Sequence, residues 1–240
     1  MTGDVRMGER ISSGGTSDVH AWGDGLVIKL FKPGWEHLAP VEAERASAVH
    51  AAGVSCPAVH DLVTVDDRSG LVFDRVEGPS AIGWPDAAAI TARVHAGIHD
   101  LEAPAALPRL VDALADIGLD GLPDGDRIFH GDLHPLNVLA DGDGWSVIDW
   151  SNAHVGAAAA DVASSVLTIG YRGLHDGPKA EGLHQLRIHA AESYLRHYAT
   201  LRPGVLDDLR RWTTVIGTLL LEREPETPFT DDLRRRWIDP

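Results

Sequence analysis

Two short segments in the middle of the chain constrain it more than any other feature. The first runs from His130 to Leu139 and reads HGDLHPLNVL, and the second closes a β-branched apolar run at Asp149. Asp132 and Asn137 are five residues apart in the first segment, with a proline between them. We therefore expect Asp132, Asn137 and Asp149 to present three side-chain oxygens at one point.

Such a set of oxygens suits the transfer of a phosphoryl group. A carboxylate can orient a hydroxyl nucleophile, while Mg²⁺ takes a few protein oxygens and completes its coordination with phosphate oxygens and water. We interpret Asp132 as the catalytic carboxylate and Asn137 and Asp149 as metal ligands. His134 is a second catalytic candidate, because its imidazole can neutralise charge on the transferred group.

The pattern resembles the catalytic loop of the protein-kinase-like phosphotransferases, in which His-x-Asp is followed by Asn and then by a metal-binding Asp. The sequence HGDLHP, residues 130–135, resembles the aminoglycoside phosphotransferase family in particular, and Asp149 stands where protein kinases carry Asp-Phe-Gly. The resemblance implies an α+β, two-lobed protein-kinase-like fold, with a small antiparallel sheet and one helix in the first lobe and a larger, mainly helical second lobe. We expect a nucleotide-binding lobe over residues 1–78 and a lobe with the catalytic loop and acceptor site over residues 79–240.

A glycine turn and a strand lysine precede the catalytic loop in the order that the resemblance implies. The turn consists of Gly14, Gly15, Thr16 and Ser17. Its backbone amides can approach a phosphate because glycine has no Cβ. Alternation in the next-but-one strand puts Lys29 on the same face as Val27 and Phe31, which favours a functional lysine over a solvated one. In the family, this lysine pairs with the nucleotide phosphates.

A glutamate on the following helix holds the lysine in the family. The Ala- and Glu-rich segment 40–52 predicts this helix, and Glu42 and Glu44 are both candidates. Glu42 is in line with Ala46 and Val49, on the side that we expect to face the sheet, so it is preferred. Glu44 is then interpreted as solvated.

The resemblance also implies a link between the lobes at which main-chain groups hold the nucleotide base. It points to the backbone of Arg75 and Val76, with Phe73 at the back of the pocket. Because backbone recognition does not reveal the base, both ATP and GTP remain possible alongside Mg²⁺.

Composition limits the partners. The net charge of −15 opposes binding to nucleic acid and to anionic membranes, and it can concentrate a cationic acceptor. One cysteine, Cys56, excludes an internal disulfide framework. We find no signal peptide or membrane-length apolar run, so we expect a cytoplasmic monomer or homodimer.

Departures from the protein-kinase pattern favour a small-molecule acceptor. Gly131 occupies the position where regulated protein kinases carry Arg, and only eleven residues separate Asp149 from Asp161, which is too few for a peptide-binding activation segment. We interpret Asp161 as a structural residue near a helix N-terminus. The expected activity is ATP- and Mg²⁺-dependent phosphorylation of a hydroxyl on an aminoglycoside or other antibiotic, and the alternative is a metabolite or natural-product intermediate.

Two alternative functions belong to other classes of protein. His130, Asp132 and His134 alternate as zinc ligands of a metallohydrolase can. A non-catalytic nucleotide-binding protein on the same fold is the second rival.

Overall fold

The structure, a computed structural model, describes residues 7–115, 122–173, 177–223 and 229–239. The strands are β1 (Met7–Ser13), β2 (Ser17–Trp22), β3 (Leu26–Phe31), β4 (Val59–Val65), β5 (Arg68–Asp74), β6 (Arg127–Phe129), β7 (Val138–Asp141), β8 (Gly144–Val147) and β9 (His154–Gly156). The α-helices are α1 (Leu38–Ala51), α2 (Ala87–Ile98), α3 (Leu110–Ala113), α4 (Ala158–Gly170), α5 (Ala180–Leu201), α6 (Leu206–Arg223) and α7 (Thr230–Leu233). Short 3₁₀ turns cover Ala81–Gly83, Pro135–Asn137 and Pro203–Val205, and a π-helical turn covers Arg234–Ile238.

The chain divides into two compact units. The first contains Met1–Pro79 and Leu139–Asn152, and the second contains Ser80–Val138 and Ala153–Pro240. The division at residue 78 that we drew from the sequence did not include the return of residues 139–152 to the first unit.

The first unit is built on a five-stranded antiparallel sheet in the order β1-β2-β3-β5-β4. Asp66 and Asp67 both have positive φ, which suits the tight turn between β4 and β5. One face of the sheet packs Phe31 and Leu71 with Ala39 of α1. Because side chains alternate along a strand, Lys29 shares the face of Phe31, which α1 covers.

Residues 139–152 join the first unit through backbone contacts. The Ala140 amide donates to the Pro79 carbonyl at 2.9 Å, and the Val147 amide donates to the Ser55 carbonyl at 2.8 Å. A Cβ on Gly78 would lie 2.0 Å from the Ala140 carbonyl oxygen, so only glycine fits this approach. These contacts bring Asp149 into the unit that contains the sheet.

The core of the second unit is organised around α4. This helix is buried on nearly all sides, as expected of a mainly apolar helix surrounded by other elements. It packs against α5 and α6, where Tyr194, Tyr198 and Trp212 are fully buried. Strands β6 and β9 pair antiparallel and lead into and away from the segments that the sequence analysis singled out.

In the part of the chain that the structure describes, no helix combines the length and apolar character that a membrane span requires.

Candidate functional site

Lys29 lies at the centre of a charged constellation in the first unit. Its Nζ donates to both carboxylate oxygens of Glu42 at 2.7 Å and to Oδ1 of Asp149 at 3.0 Å. Of the two candidate partners, Glu42 makes this contact, while Glu44 is exposed. We call these three residues, Lys29, Glu42 and Asp149, the lysine triad.

The position of Glu42 follows from the amphipathic pattern of α1. The buried residues of this helix are Ala39, Glu42, Ala46 and Val49. Their spacing of three and four places them on one face, so Glu42 is carried into the interior by apolar neighbours. A buried carboxylate requires a partner, and Lys29 supplies it.

Burial and charge oppose each other in the lysine triad. Burial alone would lower the pKa of Lys29, but the negative charges of Glu42 and Asp149 outweigh it and hold that pKa above its ordinary value. Burial raises the pKa of Glu42 to about 7, against the attraction of the Lys29 charge. Lys29 is therefore firmly cationic, and two carboxylates share one ammonium group.

Asp149 is the exposed member of the lysine triad. Its side chain is 37% exposed, compared with 2% for Glu42, and it also accepts a hydrogen bond from the Ser151 hydroxyl at 3.1 Å. Its φ of +67° is uncommon for a residue with a Cβ, although Asp tolerates this region better than most. A hard oxygen ligand beside an excess of negative charge fits a divalent cation such as Mg²⁺.

The glycine turn between β1 and β2 is tied to the end of β3. The Gly14 amide donates to the Ser17 carbonyl at 2.8 Å, and the Lys32 ammonium donates to the Gly14 carbonyl. Gly14 and Gly15 are exposed, Thr16 is half-buried and Ser17 is buried. A Cβ on Gly15 would meet no other atom within 4 Å, so nothing within the chain requires glycine there.

The end of β5 and the segment after it hold the predicted base-binding residues. Phe73 packs with Phe31 and Leu71 on the helix-covered face of the sheet. The Arg75 amide donates to the Gly25 carbonyl at 2.9 Å, and its guanidinium pairs with Glu77. Since that amide is occupied, the Arg75 carbonyl and the amide and carbonyl of Val76 are the backbone groups left to consider for the base.

The loop from His130 to Asn137 in the second unit is fixed by hydrogen bonds to its backbone. Gly131 has a φ of +80°, which favours glycine, and its carbonyl accepts a hydrogen bond from Ser164 at 2.7 Å. The Asp132 amide donates to Nδ1 of His130 at 3.2 Å, and its carbonyl accepts from the Asn137 side-chain amide at 3.0 Å. Asp132 is thus held through its main chain on both sides.

The Asp161 carboxylate holds the backbone at the start of this loop. Its Oδ2 accepts the His130 amide at 2.6 Å and its Oδ1 accepts the Gly131 amide at 2.9 Å. His95 of α2 and His99, the residue after that helix, also direct Nε2 at Oδ2, at 2.9 and 3.3 Å. Although burial alone would raise the pKa of Asp161, its contacts with His95 and His99 hold that pKa well below the ordinary value.

The two histidines are held in turn by tyrosines of α5. Nδ1 of His95 is hydrogen-bonded to the Tyr194 hydroxyl at 2.6 Å, and Nδ1 of His99 is hydrogen-bonded to the Tyr198 hydroxyl at 2.5 Å. In a neutral His99, Nε2–H donates to the Asp161 carboxylate and Nδ1 accepts from the Tyr198 hydroxyl. Burial, followed by the neighbouring His95, lowers the pKa of His99 to about 4, so His99 is neutral.

Two residues that the sequence analysis did not identify contact the Asp132 carboxylate. The Thr168 hydroxyl donates to Oδ1 at 3.2 Å, and NH1 of Arg172 pairs with the same oxygen at 2.7 Å. They lie more than thirty residues beyond Asp132, at the end of α4, and no local pattern marks them.

Asn137 and His134 are the other two predicted site residues of this loop. Asn137 is buried, and because its amide nitrogen donates to the Asp132 carbonyl, its side-chain oxygen is the atom suited to a metal. His134 is half-buried, and its carbonyl accepts the Asn137 amide at 2.9 Å. Because Asp149 belongs to the other unit, the convergence of Asp132, Asn137 and Asp149 stays a prediction.

The zinc-ligand arrangement considered for His130, Asp132 and His134 is not formed. His130 is fully buried and its ring accepts the Asp132 amide. Among the described residues, the group with metal-ligand spacing is instead His95, His99 and Asp161. Its ring nitrogens and carboxylate are already engaged by the hydrogen bonds described above.

Comparison with known proteins agrees with this geometry. The family model of the phosphotransferase enzyme family, APH, matches residues 84–203, which is half of the chain. The chain belongs to this family. The resemblance inferred from the catalytic-loop motif is confirmed, as is the expectation of a phosphotransferase that acts on a hydroxyl group.

Solved structures of phosphotransferases have the same fold. Aminoglycoside-3'-phosphotransferase of type VIII is 21% identical, with a TM-score of 0.57 over 85% of this chain and 93% of that chain. ADP-bound aminoglycoside phosphotransferase APH(2'')-Ib is 13% identical, with a TM-score of 0.56 over 97% and 92%. A choline/ethanolamine kinase family protein from Mesorhizobium loti is 17% identical, with a TM-score of 0.54 over 98% and 87%.

These structural matches confirm the predicted α+β, protein-kinase-like fold. No curated protein is significantly similar to the chain in sequence.

Proposed function

We propose that this phosphotransferase moves the γ-phosphoryl group of ATP to a hydroxyl of a small molecule in a magnesium-dependent reaction. The observation that carries the proposal is the lysine triad, in which a buried ammonium is held by Glu42 and by the partly exposed Asp149. ATP supplies the transferable group, and Mg²⁺ neutralises charge on its phosphates.

The residues of the first unit are proposed to bind the nucleotide. Lys29, fixed by Glu42, pairs with phosphate oxygens, and the turn from Gly14 to Ser17 offers backbone amides to them. Phe73 and the backbone of Arg75 and Val76 are proposed to hold the base. Since backbone groups do this, GTP remains an alternative to ATP.

Asp132 is proposed to orient the acceptor hydroxyl and to accept its proton. Its backbone is fixed by Asn137 and by the loop held on Asp161, so its carboxylate is positioned before the acceptor binds. Asn137 and Asp149 are the proposed magnesium ligands. His134 is proposed to neutralise charge on the transferred group.

Two acceptor classes are proposed. Several structural neighbours were solved with streptomycin or gentamicin, which supports an aminoglycoside or another antibiotic and agrees with the net charge of −15. The contact of Arg172 with Asp132 favours the second class, a metabolite or natural-product intermediate, because a cation beside the reacting hydroxyl opposes a polycation. We expect a cytoplasmic enzyme that acts as a monomer or homodimer and binds neither nucleic acid nor membrane.

The test is a screen of hydroxyl compounds for magnesium-dependent release of ADP, with the mass of each product measured directly. A product heavier by one phosphoryl group supports the proposal. Tight ATP binding without transfer to any acceptor or to water would instead support the non-catalytic rival. Stoichiometric zinc with hydrolysis of a substrate would support the metallohydrolase.

A further inference from the structure

The catalytic carboxylate of the second unit has a cation as a direct neighbour. NH1 of Arg172 lies 2.7 Å from Oδ1 of Asp132, and the Thr168 hydroxyl donates to the same oxygen at 3.2 Å. The Arg172 side chain is 49% exposed, whereas that of Asp132 is 14% exposed. The Arg172 guanidinium is therefore exposed to solvent beside the less exposed Asp132 carboxylate, and a molecule that reaches the carboxylate also reaches the guanidinium.

The placement of Arg172 is fixed by a second arginine. Arg187 of α5 donates through Nε to the Ile169 carbonyl at 2.6 Å, through NH1 to the Arg172 carbonyl at 2.8 Å and through NH2 to the Thr168 carbonyl at 2.6 Å. These bonds satisfy carbonyls at the C-terminal end of α4 that lack helical partners. The backbone that carries both Thr168 and Arg172 is consequently anchored to α5.

An acceptor bound at Asp132 lies close to the positive charge of Arg172. A hydroxyl hydrogen-bonded to the Asp132 carboxylate lies within about 6 Å of the Arg172 guanidinium, given ordinary hydrogen-bond lengths. At this distance the guanidinium attracts a carboxylate or phosphate on the acceptor and can bind it through paired N–H groups. It repels an ammonium group in the same position.

We infer that Arg172 selects acceptors that carry a carboxylate or phosphate group close to the hydroxyl that is phosphorylated. The inference rests on the proposed role of Asp132, and it names the class of substrate for that site. It favours an anionic metabolite or intermediate over a polycationic aminoglycoside, although the chain as a whole is strongly acidic.

Three hexoses that differ in charge provide the test: glucosamine is cationic, glucose is neutral, and glucuronate is anionic. Each is added to the full-length protein with Mg²⁺ and ATP, and ADP release and product mass are measured. Compounds that are not phosphorylated are scored as competitive inhibitors of ADP release to water. We expect the wild-type protein to prefer glucuronate over glucosamine by about tenfold or more, in kcat/KM or in inhibition constant.

Variants at Arg172 identify the origin of the preference. Arg172→Gln should reduce the preference for glucuronate over glucosamine to about twofold or less. Arg172→Lys should retain part of the preference because the positive charge remains. Arg211→Gln, which removes an exposed arginine from α6, is the matched control and should leave the ratio unchanged. The side chain of Arg172 is half-exposed, so we expect both variants to fold, and circular dichroism verifies this.

The outcomes separate this inference from the proposed function. Equal or reversed preference in the wild type, or an unchanged preference in Arg172→Gln, overturns the inference while ADP release stands. A uniform loss of turnover for all three hexoses assigns Arg172 to the transferred phosphoryl group and also overturns it. The absence of any magnesium-dependent ADP release, to water or to a hexose, contradicts the proposed function itself.

Discussion

The lysine triad of the first unit and the loop from His130 to Asn137 in the second unit differ in how exposed their carboxylates are and in how the backbone beside them is held. Asp149 is held by charged and polar side chains, Lys29 and Ser151, and it remains 37% exposed. The Asp132 side chain is 14% exposed and contacts Arg172 and Thr168, and its backbone is bonded to His130 and Asn137. The buried Asp161 holds the two preceding amides of the same loop. The more exposed Asp149 can exchange a side-chain partner for a metal, whereas the backbone bonds of Asp132 keep its position while its carboxylate reacts.

The largest expected difference between the two regions is in turnover. Asp132→Asn should lower turnover by on the order of 10²- to 10⁴-fold, because the amide cannot accept the proton of the acceptor, while ATP binding persists. Asp149→Ala should lose most turnover together with magnesium-dependent ATP binding. Steady-state ADP release and calorimetric titration with ATP measure the two effects. An Asp132→Asn variant with wild-type turnover would remove Asp132 from its proposed role.

A second prediction concerns the charges of the lysine triad. Lys29→Met leaves Glu42 buried without its partner and should lower the free energy of unfolding by about 3–5 kcal/mol. The double variant Lys29→Met/Glu42→Gln should recover most of this loss, because no uncompensated charge remains in the interior. Urea unfolding gives the free energies. ATP binding should stay weak in both variants, and its recovery in the double variant would contradict the role of Lys29.

The neutral His99 of the second unit predicts a dependence of stability on acid. His99 has a pKa of about 4 in the folded chain, below its ordinary value of 6.5, because burial and the nearby His95 disfavour its charged form. The contribution of neutral His99 to the free energy of unfolding is therefore complete above pH 6.5. It declines as the pH falls towards 4, by about 3 kcal/mol in total.

The His99→Gln variant isolates this contribution. Its amide can donate to Asp161 and accept from Tyr198 but does not titrate in this range, so its unfolding free energy should fall less between pH 6.5 and 4. Urea unfolding at half-unit pH steps compares the two proteins. Parallel pH profiles would show that His99 is not a source of the acid sensitivity.

The smallest expected effect concerns glycines. Gly15→Ala should leave the unfolding temperature unchanged, because its Cβ meets open space, and should raise the KM for ATP several-fold if phosphate approaches the turn. Gly131→Ala is the contrasting variant, since its φ of +80° should cost about 1–2 kcal/mol of stability. An unchanged KM in Gly15→Ala would argue against phosphate binding at this turn.

Local sequence patterns were sufficient for part of this description. The spacing of Asp132 and Asn137, and the alternation around Lys29, are short-range features with a chemical meaning, and they led to the family and the fold. The stripe of α1 that carries Glu42 is likewise local, and the structure shows the Lys29–Glu42 contact.

The remaining features depend on contacts between distant residues. Asp161 joins residues 31 and 66 positions away, and Arg172 reaches Asp132 from the end of α4. His95 and His99 lie four residues apart in the sequence. Their spacing of four residues places them on one face and was a sign that they share a partner, but it could not identify Asp161.

The return of residues 139–152 to the first unit has a consequence for how the protein is made. The unit that contains the sheet is discontinuous in sequence, so its final strands and Asp149 leave the ribosome only after residues 80–138 have emerged. Domains that are continuous in sequence can fold one after another during synthesis. Here the first unit can be completed only after residues 80–138 have been synthesised. A fragment that ends at residue 79 would lack part of that unit.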